Sequence, residues 1–197
     1  MVFVQFAIAL AFTLSVALAQ PSFAQSVTPI GSGATTLRID PTFESSVSTS
    51  GLALGAVGES SVLDGLFIFP VVEGAIDADT ARADIMHGGG LELFSQTLNV
   101  SFINLIVDTT TAAPQVTADL VVNNALVVRI PLFDLQLPPL TLPLDTRSGR
   151  VSIPATTVTL RSEAAEILNR ILGATNFSGG QPIGTSEMTW EVGESGI

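Results

Sequence analysis

The segment QVTADLVVNNALVVRI, residues 115–130, constrains this chain more tightly than any other part of it. Val116, Ala118, Leu120 and Val122 point one way, with Thr117 and Asp119 on the other face, which is the period-two pattern of a half-buried strand. Asn123 and Asn124 follow, two residues that tolerate positive φ and so close a tight hairpin turn. Leu126, Val128 and Ile130 then resume the alternation. A helix would scatter these side chains around its circumference. The segment predicts an antiparallel hairpin.

The same reading carries along the chain. Strands are expected at residues 35–39, 66–72, 91–94, 97–107, 151–153, 157–160 and 186–192, the last carrying the single tryptophan, Trp190. Residues 76–79 read as a turn, and Pro138, Pro139 and Pro143 make 137–144 an edge or an extended connection. Residues 25–62 are rich in Ser, Thr and Gly, with an undefined piece around Phe43. One helix is predicted, from Ser162 to Leu172, with Ser162 as N-cap, Glu163 in the first turn and Gly173 as the C-terminal stop. Ala165, Leu168, Ile171 and Leu172 form its apolar stripe. Many short strands and one helix predict a mainly β fold: an antiparallel β-sandwich-like domain with one short C-terminal α-helix. No linker interrupts residues 25–197, which read as a single β-rich domain.

Residues 1–24 read as a secretory signal peptide. An apolar run from Val2 to Ala19 precedes Pro21 and a small-residue cleavage pattern, with the cut expected after Ala24 and Ala19 as the other candidate. No Lys or Arg precedes that run. No later segment is apolar and unbroken for the roughly 20 residues a spanning helix needs. A secreted, periplasmic or cell-envelope location is therefore expected. With 18 acidic and 7 basic side chains the net charge is -11, which repels nucleic acid and anionic headgroups. The absence of cysteine removes disulfides, thiolate catalysis and Cys-ligated metals.

Chemistry then converges on few residues. His87 is the only histidine and stands before Gly88, Gly89 and Gly90. Imidazole titrates near neutrality and ligates haem or metal, so His87 is the candidate cofactor-binding residue. The plainer reading makes it a strand-end residue bonded to nearby backbone, and makes the glycines a bulge or positive-φ turn. Asp77, Asp79 and Asp84 are candidate ligands for a hard cation such as Ca²⁺, although acidic turn residues are commonplace. No G-x-S-x-G elbow is present, and no catalytic residue is assigned.

Several segments together resemble the HtaA-type domains, exported haem-binding modules of Gram-positive haem uptake. FIFPVVEGAIDADT resembles that family's FxFP, Gly and Asp-rich entry, and MHGGGLEL resembles its GHDGALDL segment, with His87 at the histidine. VTADLVV, RIPLFDLQL and VTLRSEAAEILNRILGATNFSGGQPIGTSEMTW resemble the later strands, helix and closing strand, so the likeness runs over residues 33–192. The resemblance implies a haem iron held by a tyrosine near the domain start and assisted by the histidine. This chain has no tyrosine, and LRIDPTFESSV offers only Phe43 near that place. A phenyl ring cannot ligate iron, which leaves a His87-ligated haem as the one cofactor with a rationale. The expected function is an exported, non-enzymatic β-domain binding a small ligand or an envelope protein. A structural envelope or matrix role is the alternative, and a secreted hydrolase the third.

Overall fold

The structure is a computed structural model and describes residues 27–193; the expected signal peptide lies outside the described residues. In chain order the elements are β1 (Val27–Ile39), α1 (Pro41–Thr49), β2 (Ala53–Val57), β3 (Ser61–Leu63), β4 (Leu66–Asp77), β5 (Arg82–His87) and β6 (Gly90–Phe94). They continue with β7 (Asn99–Asp108), β8 (Gln115–Val122), β9 (Ala125–Gln136), β10 (Arg150–Leu160), α2 (Ser162–Leu172) and β11 (Pro182–Val192).

Each strand pairs antiparallel with its neighbour in the order β7-β5-β4-β1-β11-β10-β9-β8, and β8 returns to pair with β7. The ring is closed. This corrects the expected sandwich: the fold is an antiparallel barrel. Inward and outward residues alternate identically in both architectures, so the alternation that revealed the strands carried nothing about closure. Closure comes from β7, which pairs along one edge with β6 over Asn99 to Ile103 and with β5 over Ile106 to Asp108. Its opposite edge takes β8. Asn104, at φ 53, sits in the register shift between Ile103 and Ile106 and bends the strand there.

The second correction is a second helix. Asp40 caps α1 by accepting the Thr42 N–H at 2.8 Å, and Pro41 occupies the first turn, where its missing N–H has no cost. Phe43 and Val47 are buried one helical turn apart. The Asp-Pro start and the i,i+4 apolar pair were present in a stretch dominated by Ser and Thr, residues of modest helix propensity. The strands β2, β3 and β5 were likewise not predicted.

Helix α2 runs from Ser162 to Leu172 as expected and ends on Gly173 in the left-handed conformation, φ 61. Its N-cap is Arg161 rather than Ser162, and Arg161 provides no side-chain cap. Tertiary contacts hold Arg161 instead. Its N–H donates to the Leu132 carbonyl at 3.1 Å, and its guanidinium meets Asp134 at 3.2 Å and Gln115 at 2.5 Å. The helix start is thus tied to β8 and β9. The two expected pieces at 151–153 and 157–160 are one strand, β10, with an irregularity between Ile153 and Thr156. The expected turn at 76–79 begins later, because Ile76 and Asp77 still pair in β4.

Candidate functional site

His87 ends β5 and is 2% exposed. It stands opposite Val71 of β4, and its ring reaches past that strand toward β1. There Nε2 shares a 2.7 Å hydrogen bond with the Thr35 hydroxyl, its direction set by the imidazole tautomer. Nδ1 has no hydrogen bond of full geometry among the described residues, although the ring takes weaker hydrogen bonding from the backbone at Leu105 and Ile85. Burial pulls the imidazole down to about 4, against the opposing pull of the backbone at Leu105 and Ile85. The ring is therefore neutral at pH 7.

A cavity of about 30 Å³ adjoins it inside the barrel, lined by Thr35, His87 and Ser186 among apolar side chains that include Leu37, Phe69 and Met188. Ser186 is 3% exposed, and its hydroxyl also has no partner among the described residues. In the sequence Thr35 and Ser186 stand only as the first residues of predicted strands, with nothing that marks them as site residues. The available signal was positional: Thr35 precedes Leu37, and Ser186 precedes Met188 and Trp190, on faces that are otherwise apolar. A polar residue on the inward register of a strand is more informative than an exposed one.

The three glycines make a bulge. Gly88 donates to the Pro70 carbonyl at 2.9 Å, and the Gly89 carbonyl accepts from the Asn104 N–H at 3.1 Å. Gly89 has φ 71. A Cβ on Gly90 would collide with the Phe102 carbonyl, and one on Gly89 with the backbone of Val57 and Ser60. β5 and β6 therefore follow one another along the same edge of β7 without reversing the chain.

The structure does not gather the candidate carboxylates around a common point. Asp77 is buried, with Oδ1 accepting from the Asp79 N–H at 2.9 Å and Oδ2 from the Thr80 hydroxyl at 2.8 Å. Both oxygens are engaged in their own turn. Asp79 flanks a surface depression with Asp145 and Arg147. Asp84 is exposed on β5, across from Ala75 and Asp108. Among the described residues no group of three or more His, Asp or Glu side chains is placed to hold a metal ion. Phe43 is buried in α1 with its ring edge-on to Phe177, centroids 6.1 Å apart.

One outward feature stands apart. Leu126, Val127 and Val128 are 68%, 56% and 47% exposed. Asn123 and Asn124 form the expected positive-φ turn, at 48° and 68°. A register shift between Leu120 and Val121 leaves Val127 as an extra residue on β9. β10 pairs with β9 only over Phe133 to Gln136, so the hairpin tip projects beyond that ladder.

Comparison of the coordinates with solved structures decides the architecture. The C-terminal domain of HtaA from Corynebacterium glutamicum superposes with a TM-score of 0.65 at 13% identity, covering 84% of this chain and 99% of that one. The fold is the HtaA-type barrel. The N-terminal domain of the same HtaA gives a TM-score of 0.60 at 12% identity, with coverage of 84% and 99%. The heme-binding protein HtaB of that organism gives 0.58 at 11% identity, with coverage of 85% and 95%. No family profile matches the sequence, and a search of curated proteins found no match. The kinship with HtaA and HtaB is thus a distant structural one.

The residues around His87 do not fit the haem expected from the sequence resemblance. The ring is sealed from solvent, its Nε2 is engaged by Thr35, and a cavity of about 30 Å³ is an order of magnitude below the roughly 300–1,000 Å³ of ligand pockets. Being buried, the His87 ring is also out of contact with any substrate approaching from solvent.

Proposed function

We propose that this chain is an exported, non-catalytic binding module that uses an HtaA-type barrel as a scaffold and engages its partner through the β8–β9 hairpin. The observation that carries the reading is the run Leu126-Val127-Val128, three successive apolar side chains left exposed beside a strand edge that β10 does not cover. Such an edge is a template for a further strand, and an exposed apolar run beside it marks a contact surface. Export is supported by the signal-peptide pattern of residues 1–24. The net charge of -11 disfavours polyanions as partners.

The test is site-specific photocross-linking in the intact envelope. A photoreactive residue at Leu126 or Val128 should give a discrete adduct, and one at Glu163 on the first turn of α2 should give none. Indistinguishable adducts from all three positions would point to a matrix role. No adduct from the hairpin positions would remove the hairpin as the contact surface.

A further inference from the structure

We infer that the interior of the closed barrel holds a site for one small apolar molecule of atomic or diatomic size, the class to which xenon and dioxygen belong. The cavity of about 30 Å³ beside His87 belongs to the whole ring rather than to that residue. Leu105 of β7, Phe69 of β4, Leu37 of β1, Met188 of β11, Phe133 of β9 and Val116 of β8 all line it. With His87 of β5 and Val158 of β10, every strand of the closed ring contributes a side chain. All the lining residues are buried. A ring of eight strands has an interior just wide enough for its own side chains or for one small ligand. Here the side chains fall short of filling it.

The chemistry of the wall selects the occupant. The surface facing the space is apolar throughout. Thr35 spends its hydroxyl on His87 Nε2, and neither His87 nor Ser186 presents a polar atom to the space. A water there would give up its hydrogen bonds, and apolar cavities stay dry. No carboxylate or guanidinium lines the cavity, so an ion would go uncompensated. Left empty, the wall forfeits dispersion contacts. A polarisable uncharged atom restores them, and Met188 meets it with a polarisable thioether.

Size narrows the class further. The volume of about 30 Å³ exceeds the roughly 10–15 Å³ that one water needs, and it lies far below the roughly 150 Å³ of a cavity that takes benzene. Ring compounds are too large, which leaves single atoms and diatomic gases. The inference stands independently of the hairpin reading above, because Leu126 and Val128 are exposed and line no part of this space.

Methyl NMR of the folded protein under rising xenon pressure tests it. The Leu37, Leu105 and Val116 methyls should shift and then saturate, whereas those of Leu126 and Val128 should move only in proportion to pressure. Val158→Ile, which adds a methyl group at the wall, should lose the saturable shift. Cavity methyls that move no differently from the hairpin methyls would overturn the site, as would a saturable shift that survives Val158→Ile unchanged. If that variant does not fold, the contrast between inner and outer methyls in the wild type decides alone.

Discussion

The Thr35 hydroxyl and His87 Nε2 lie 2.7 Å apart in the barrel interior, joining β1 to β5 across the intervening β4. This bond links two strands that share no ladder. It also leaves the only imidazole of the chain buried beside a cavity of about 30 Å³ rather than in solvent.

The buried histidine makes stability depend on pH. Its folded pKa is about 4 against 6.5 for the free side chain. Between those values the unfolded chain binds a proton that the folded chain does not, so stability falls as pH drops through the window. Above pH 6.5 both states are neutral at this position, and below pH 4 both are protonated. The loss across the window is about 3 kcal/mol. Urea unfolding from pH 8 to pH 4 should show it, and His87→Leu should remove that slope.

Thr35→Val deletes the partner of Nε2 with little change in shape. It leaves Nε2 unsatisfied, at a cost of about 1–3 kcal/mol. In a double-mutant cycle with His87→Leu the two changes should couple, because the hydroxyl has no such bond to lose once the ring is gone. Additive costs in denaturant titrations would show that the two side chains act separately.

Gly90→Ala should prevent the β6–β7 pairing, since its Cβ meets the Phe102 carbonyl directly. The expected loss is more than about 3 kcal/mol. Gly173→Ala offers the contrast: nothing lies within 4 Å of its Cβ site, and only the left-handed φ is penalised, by about 1 kcal/mol. Thermal melts of the two variants should separate these cases.

The exposed hairpin should be dispensable for folding. Leu126→Ser with Val128→Ser is expected to change stability by less than about 0.5 kcal/mol per position. The same double variant should abolish the envelope adduct formed from a photoreactive residue at position 127. A large loss of stability would show that these side chains belong to the core.

Much of the fold was legible locally. The β8–β9 alternation, the Asn123-Asn124 turn and the α2 boundaries follow from side-chain periodicity and turn chemistry, which act within a few residues. The closure of the ring did not, because the β1–β11 and β7–β8 pairings leave the same inward and outward pattern that a sandwich would. Helix α1 was hidden for a different reason: its cap and apolar pair were outweighed by the surrounding Ser and Thr. At the site, His87 stood out by being unique, whereas Thr35 and Ser186 became visible only when three strands met around one cavity. Asp77 looked like a ligand by composition, and its hydrogen bonds to Asp79 and Thr80 show it holding a turn.

In this HtaA-type barrel the one histidine is an internal polar link between β1 and β5, and we propose that binding falls to the outer surface. Titrating haem into the purified protein, with His87→Ala alongside, tests this most directly. No Soret shift that depends on His87 is expected. A wild-type Soret shift lost in His87→Ala would contradict it, by placing the imidazole on the iron.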